Sequence, residues 1–352
     1  LFNANNKTRF AIKMEKVINL GIPHIGEQIF ESIGTDELIK YFMVSETWRV
    51  LAEQVLLKRW TGRFFEACQV GKIEIVKLLL ERIEPIKLNT KDNNNRCNCC
   101  NAFMVACANG HKDVVQLLLN HSSIDPNIKD KDGHTGLMFA CKNGHKDVVQ
   151  LLVNCSEIDL NAKDKYGCSV FMIACHGNQT DIAKLFLSCK HIDVNARDDL
   201  GWTAIMIACL EGHKDVVQLL LSYPEIDLNA PNEDGYTPFM IACQNGHKDV
   251  VQLFLSHSSI DLHAENNVGW TAFTHACMFG HKDVVQLLLD HSEGNIDLNA
   301  RDDNGSTAFM FACNNGHKDV VELLTNCSNI DLNVPDEDGY TPLMVACQNG
   351  HE

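Results

Sequence analysis

An internal repeat constrains this chain more than any other feature of its sequence. The alanine of an Ala-Cys pair recurs every 34 residues from Ala106 to Ala276, then after 36 residues at Ala312 and after 34 at Ala346. An earlier copy at Ala67 precedes Ala106 by 39 residues. Periods of this length are typical of solenoids, in which small structural repeats stack in a row and each contacts its neighbours. A count of domains from chain length, which assumes separate cores, therefore does not apply.

Each repeat predicts two short helices joined by a turn. In one copy, residues 237–243 and 248–255 show helical patterns, the second with its apolar residues on one face. Residues 260–264 then lead out to a polar tip that ends at Gly269. Helices this short are not stable alone, so neighbouring repeats must stack and bury their apolar faces together. We expect the leucines of the second helices, Leu219 and Leu253 among them, to form this shared core.

The pattern within the repeats resembles the ankyrin repeat. Its elements are Asp-x-x-Gly-x-Thr-Pro, Asn-Gly-His, Val-Val-x-Leu-Leu-Leu and Asp-Leu-Asn-Ala, which run from about Thr61 to Glu352. The resemblance implies an all-α ankyrin-repeat solenoid, built of helix pairs with hairpin-like tips, over residues 61–352, with about eight full repeats and a truncated ninth.

The repeats depart from the ankyrin pattern at one position. The histidine of the family's Thr-Pro-Leu-His element is replaced by threonine at Thr274 and by methionine in seven other copies. We therefore expect packing to replace the hydrogen bond that the family's histidine makes. The methionines are Met104, Met138, Met172, Met206, Met240, Met310 and Met344.

The segment before the repeats, residues 17–60, resembles the F-box in the order and spacing of its apolar residues. The resemblance implies a small three-helix module that binds the adaptor subunit of a cullin-RING ubiquitin ligase, with residues 1–16 as an N-terminal linker. Alternatively, these helices only cap the exposed apolar end of the solenoid, which every repeat array needs. The implied adaptor-binding residues are Pro23, Ile29, Phe30, Ile33, Leu38, Val44 and Trp48.

The charge of the chain disfavours two classes of partner. Thirty basic and 46 acidic residues give a net charge of −16, and an acidic protein gains nothing from the counterions released by phosphates. We therefore expect no binding to nucleic acid or to anionic membrane surfaces. The longest apolar runs, such as residues 102–108, have seven residues, whereas a membrane-spanning helix needs about 20.

The cysteines predict a reducing compartment rather than a disulfide framework. Nine of the sixteen follow alanine in the repeats, where we expect them to be small buried hydrophobic side chains. With no secretory signal visible, this favours a cytoplasmic protein, with the nucleus as an alternative. Cys97 and Cys100 have the spacing of a zinc site, but a second ligand pair is missing. We therefore predict exposed thiols at Cys97, Cys99 and Cys100, and no metal or other cofactor.

No catalytic motif is present, so we predict a non-catalytic protein. The sequence has no phosphate-binding glycine run, no zinc-binding His-Glu-x-x-His and no nucleophile elbow. Seven histidines follow a glycine in the turns, but equivalent residues of stacked helices lie about 8–10 Å apart, too far to share one metal ion. We interpret these histidines as structural turn residues.

Asparagines in the Asp-Leu-Asn-Ala element resemble the residues that asparaginyl hydroxylases modify in ankyrin proteins. The alternative is that their side chains cap the backbone of the tip. The residues concerned are Asn161, Asn195, Asn229 and Asn299.

The positions at which near-identical repeats differ indicate where a partner binds. The second helices hardly vary, whereas the tips and the ends of the first helices do. In the ankyrin family these positions line the concave binding surface, so the resemblance implies an apolar ridge edged by the carboxylates of Asp199, Glu211, Glu233 and Asp234. Such an edge favours a protein segment with Lys or Arg around apolar residues. The apolar ridge comprises Tyr166, Leu200, Trp202, Leu210, Tyr236, Val268, Trp270, Met278 and Phe279.

Two hypotheses about function follow. In the first, the chain is a substrate receptor of a Skp/cullin/F-box-type ubiquitin ligase, with the repeats holding the target. In the second, it is a binding scaffold without a ubiquitin role, and its N-terminal helices act as a cap. The rings of the apolar ridge also have an alternative role, in which they pack on neighbouring tips and stiffen the array.

Overall fold

The structure, a computed structural model, describes residues 50, 52, 55, 63–81, 89, 100–291 and 296–351. The seven residues assigned to adaptor binding, from Pro23 to Trp48, lie outside these described residues, as do Cys97 and Cys99. The chain divides into two compact units, residues 1–140 and 141–352, and each is described by itself.

The described residues form seventeen α-helices and no strand. None of these helices is long and apolar enough to cross a membrane. The helices are α1 (Phe64–Gln69), α2 (Ile73–Leu80), α3 (Ala102–Ala108), α4 (Lys112–Leu119), α5 (Gly136–Lys142), α6 (Lys146–Val153), α7 (Val170–His176), α8 (Thr180–Leu187), α9 (Ala204–Leu210), α10 (Lys214–Leu221), α11 (Pro238–Gln244), α12 (Lys248–Leu255), α13 (Ala272–Met278), α14 (Lys282–His291), α15 (Ala308–Asn314), α16 (Lys318–Thr325) and α17 (Pro342–Gln348).

Within the second unit, helices stack in two rows. The first helices α7, α9, α11, α13, α15 and α17 each pack on the next, and the second helices do the same from α6 through α16. The first helices bury their Ala-Cys pairs, as predicted from the repeat, through Cys313. Cys347 is the exception and is exposed, because no further helix lies against α17 in the described chain. The predicted all-α ankyrin-type stacking is therefore confirmed.

The residues of the second helices that are buried in the core are not the leucines that we predicted. In α10 the side chain of Leu220 is fully buried and Leu219 is only half-buried, and in α12 Phe254 is buried and Leu253 half-buried. The valine pair at the start of each helix sets the inward face, and the residue four positions after the first valine shares that face. Leu219 and Leu253 lie one position off it, so the expectation that they form the shared core was wrong.

Methionine takes part in the helix caps, contrary to the expectation that packing alone would replace the family's histidine. Thr237 Oγ1 accepts a hydrogen bond from the backbone N–H of Met240 at 3.3 Å, and the backbone N–H of Thr237 donates to the Met240 sulfur at 3.5 Å. This is a capping box with a weak sulfur acceptor in place of the usual carboxylate or amide. The same sulfur contact occurs at Met104, Met138 and Met172.

The turn histidines link consecutive repeats, which confirms the prediction of a structural role. His247 Nε2 donates to the carbonyl oxygen of Leu210 at 2.8 Å, and His281 Nε2 donates to that of Gln244 at 2.7 Å. Each ring also lies against the turn glycine of the preceding repeat, as His281 does against Gly246. These bonds satisfy carbonyl groups at the ends of the first helices, which have no partner within the helix.

Replacing Gly246 by alanine should destabilise the protein by more than the usual cost of strained backbone. Gly246 has φ +70°, and a Cβ there would lie 2.5 Å from Nδ1 of His281. Gly350 has the same Asn-Gly-His context and φ +73°, with no atom within 4 Å of its Cβ position. In urea denaturation, Gly350→Ala should therefore show only the left-handed strain, about 1–2 kcal/mol. Equal losses for the two variants would contradict the close packing of the His281 ring.

Candidate protein-binding surface

Side chains at the base of each tip in the second unit hold the backbone of the apolar ridge in place. Asp198 Oδ1 accepts hydrogen bonds from the backbone N–H groups of Leu200 at 2.9 Å and Trp202 at 2.8 Å. Asn266 Oδ1 does the same for Val268 at 3.1 Å and Trp270 at 2.9 Å. A side-chain oxygen that bonds its own backbone two residues on is what favours Asp and Asn in tight turns. The variable residues thus stand on a fixed backbone.

Asparagines of the Asp-Leu-Asn-Ala element connect each tip to the next repeat. Asn195 Nδ2 donates to the carbonyl oxygen of Glu225 at 2.6 Å, and its Oδ1 accepts from the backbone N–H of Asp227 at 2.9 Å. Asn161, Asn229 and Asn299 make the equivalent pairs of bonds. The backbone that these side chains cap belongs to the following repeat rather than to their own tip.

The structure leaves five side chains of the apolar ridge exposed and four half-buried. Tyr166 and Leu200 are 60% and 63% exposed, and Leu210, Val268 and Phe279 are also exposed. Large apolar side chains that are exposed as a contiguous patch mark an interaction surface, whereas scattered ones are ordinary. The half-buried members are Trp202, Tyr236, Trp270 and Met278.

Trp270 is fastened to the neighbouring repeat. Its indole Nε1–H donates to Asp302 Oδ2 at 3.0 Å. Its ring makes edge contacts with the rings of His275 and Phe311, each at 5.6 Å between centroids. Trp270 therefore has the alternative role considered for the rings of the apolar ridge, in which a ring packs on a neighbouring repeat and stiffens the array.

A buried histidine that sequence reasoning missed lies beside this tryptophan. His275 is fully buried, its Nδ1–H donates to the carbonyl oxygen of Thr271 at 2.8 Å, and its Nε2 has no hydrogen-bond partner. Its ring centroid is 5.0 Å from that of Tyr236. The available signal was that every other copy from α3 to α17 has an apolar residue at this position. Those residues are Val105, Phe139, Ile173, Ile207, Ile241, Phe311 and Val345.

Replacing His275 by isoleucine should make the protein less sensitive to acid. Burial lowers the pKa of His275 in the folded protein, and the bond to Thr271 offsets this in part. In the unfolded chain the ring takes up a proton near its ordinary pKa of about 6.5. The unfolded state then binds more protons than the folded state, so the free energy of unfolding falls as the pH drops below that value.

Urea denaturation of wild type and His275→Ile at about pH 7.5 and about pH 5.5 measures this difference. We expect the stability gained by the substitution to be larger at the lower pH. A gain that is the same at both pH values would contradict the assignment of His275 as a buried neutral ring.

The carboxylates predicted to edge the apolar ridge are all exposed. Glu211 Oε1 lies 3.8 Å from His176 Nε2. Asp199, Glu233 and Asp234 form no ion pair within the part of the chain that the structure describes. The surface therefore carries negative charge that the described chain does not neutralise.

In the first unit, one of the three cysteines predicted to be exposed is buried. Cys100 is buried against Met104 and Val105, so the prediction of an exposed thiol was wrong. The residue directly precedes the cap of α3 and packs into that repeat.

A polar cluster also lies in the first unit, where Asp130, Asp132 and His134 bring possible ligand atoms within 4.8 Å of one another. Asp130 Oδ1, however, already accepts from the backbone N–H groups of Asp132 and His134.

The residues just before the repeats contribute to burial. Ala52 and Val55, one helical turn apart, are buried, and so is Phe64 at the start of α1. The segment before the first repeat therefore supplies buried apolar side chains of its own.

A family model and solved structures of other proteins are similar to this chain. The family model of ankyrin repeats in three copies matches residues 64–164, 156–232, 225–302 and 294–352. The crystal structure of the ankyrin repeat domain of Bcl-3, called a unique member of the IkappaB protein family, aligns with a TM-score of 0.54 and 28% identity over 61% of this chain and 95% of that chain. The crystal structure of EF0377, an ankyrin repeat protein, aligns with a TM-score of 0.49 and 25% identity over 54% of this chain and 96% of that chain.

No curated protein sequence is similar enough to this chain to count as a relative. The family matches, in contrast, extend from residue 64 to residue 352 and cover most of the sequence. They coincide with the stacked helix pairs, the turn histidines and the tips described above. The chain belongs to the ankyrin-repeat family.

Proposed function

We propose that this protein is a non-catalytic receptor that binds a segment of a partner protein on the apolar ridge of its second unit. The observation that carries the proposal is the exposure of Tyr166, Leu200, Leu210, Val268 and Phe279 on a backbone fixed by hydrogen bonds. A site whose backbone is already ordered loses little conformational entropy on binding. Ankyrin repeats are protein-interaction modules, which agrees with this use.

Charge narrows the kind of segment that fits. The net charge of −16 and the exposed carboxylates of Asp199, Glu233 and Asp234 disfavour an acidic partner. Complementary charges raise the association rate and exclude wrong partners. The partner segment is therefore apolar residues interspersed with Lys or Arg.

Selection from a random peptide display library tests this proposal. Peptides enriched on the full chain should combine apolar and basic residues, and should lose binding to Leu200→Asp. Gln252→Asp, which changes an exposed residue of α12 outside the ridge, is the matched control and should keep it. Peptides that bind Leu200→Asp as well as wild type would contradict the assignment of the ridge as the binding surface.

A second proposal concerns the ligase. The apolar order of residues 17–60 supports a substrate receptor of a Skp/cullin/F-box-type ubiquitin ligase, in which this segment binds the adaptor. Changing Ile29 and Phe30 together to Asp would place charges in an apolar contact, at a cost of several kcal/mol. Purified adaptor should bind wild type and not the double variant. Adaptor binding that is absent from both proteins contradicts the ligase role and leaves the capping helices as the alternative.

Circular dichroism and thermal melting separate loss of contact from loss of fold in this experiment. If these helices only cap the array, changing Ile29 and Phe30 should lower the melting temperature of the protein even when no adaptor is present. A double variant that melts like wild type but no longer binds the adaptor supports the ligase proposal.

A further inference from the structure

We infer that a pocket between two neighbouring tips of the second unit binds a single arginine side chain of the partner segment. The pocket has a volume of about 200 Å³, and its lining includes Trp202, Leu210, Asp234, Tyr236 and Ile241. We call it the Trp202 pocket. The inference rests on the proposed function and names the side chain that the apolar ridge recognises.

Two aromatic rings line the Trp202 pocket at equivalent positions of consecutive repeats. Trp202 and Tyr236 each follow the glycine of a tip and are each half-buried. The His275 ring packs against the Tyr236 ring, with 5.0 Å between the two ring centroids. Fixed aromatic rings attract cations through their electron-rich faces, and tryptophan does so most strongly.

The charge of the pocket is negative. Asp234 is exposed and lines the pocket, and none of the lining residues is basic. Burial raises the pKa of Tyr236, and the negative charge of Asp234 adds to this rise. No ion pair within the described chain neutralises Asp234. A cation from a partner can therefore meet both a carboxylate and aromatic rings here.

These features fit arginine better than lysine. The guanidinium group is flat, so one face can stack on an aromatic ring while its N–H groups donate to a carboxylate that lies in the plane of the guanidinium group. The lysine ammonium group is a compact and strongly hydrated charge, which gives up more hydration in a half-apolar pocket. Leu210 and Ile241 add apolar surface for the methylene groups of the arginine stem.

A single-residue probe tests the inference with the full chain. N-acetyl-arginine amide is titrated while the indole N–H signal of Trp202, assigned from Trp202→Phe, is followed by NMR. We expect a saturable shift, with binding at least about tenfold weaker for the uncharged analogue N-acetyl-citrulline amide. Citrulline binding as tight as arginine binding overturns a charge-recognising pocket, and lysine amide binding as tight as arginine amide binding overturns the choice of arginine.

Two variants with the same change of charge place the binding site. Asp234→Asn should weaken arginine amide binding at least about tenfold, whereas Asp215→Asn, at an exposed position of α10, should leave it unchanged. The remaining NMR signals report whether each variant is folded. Equal binding by both variants overturns the role of Asp234. The arginine amide titration requires no partner, so its result is independent of the peptide selection. If arginine amide binds but the library yields no binding peptide, only the proposed function is contradicted. If peptides bind the apolar ridge but arginine amide does not bind, only this inference is contradicted.

Discussion

Replacing Phe254 by alanine should lower the free energy of unfolding by about 3–5 kcal/mol. Phe254 is fully buried in α12, and its ring centroid lies 5.8 Å from that of Phe239 in α11. Removing the ring takes away its transfer free energy and leaves a cavity between two helices that cannot close on it. Urea denaturation monitored by circular dichroism measures the loss.

Leu253→Ala is the matched control, because the neighbouring side chain in the same helix is only half-buried. We expect it to cost less than half as much as Phe254→Ala. A similar cost for both variants would contradict the inward face assigned to α12.

Two tryptophans of the apolar ridge should respond to truncation in opposite ways. Trp202→Ala should weaken the binding of a selected peptide by about 2 kcal/mol, close to thirtyfold, and hardly change the melting temperature, because Trp202 lines an open pocket. Trp270→Ala should instead lower stability by about 1–3 kcal/mol, because it removes the bond to Asp302 and two ring contacts.

Fluorescence anisotropy with a labelled peptide and thermal melting of the same samples provide the comparison. A Trp202 variant that melts early with unchanged affinity would show that this ring is structural as well. The binding surface would then have to be sought elsewhere on the repeats.

Much of the fold could be predicted from the sequence, because the repeat shows each buried position several times. The Ala-Cys spacing identified the buried cysteines, and the Gly-His pairs identified turn residues that link repeats. The buried leucine of a second helix such as α10 was harder to predict, because hydrophobicity alone does not show which residue in a run of three adjacent leucines faces the core. The periodicity that starts at Val250 and Val251 in α12 does show this, and it places Phe254 inside.

The binding surface was less predictable, because its geometry depends on contacts between repeats. The sequence located the variable positions of the apolar ridge but not the bond from Trp270 to Asp302, which lies 32 residues further along. It also gave no weight to His275, whose importance follows from the rings on either side. Methionine in the caps was misjudged for another reason, since its weak sulfur acceptor is ordinarily neglected.

Site-specific photocrosslinking shows directly whether a partner segment lies on the apolar ridge. A photoreactive benzoylphenylalanine is placed at Leu200 on the ridge or at Gln218, an exposed residue of α10. Each protein is irradiated with a selected peptide, and the products are sequenced by mass spectrometry. We expect crosslinks from position 200, adjacent to an arginine of the peptide, and none from position 218. Crosslinks from position 218 but not from position 200 would contradict binding on the apolar ridge.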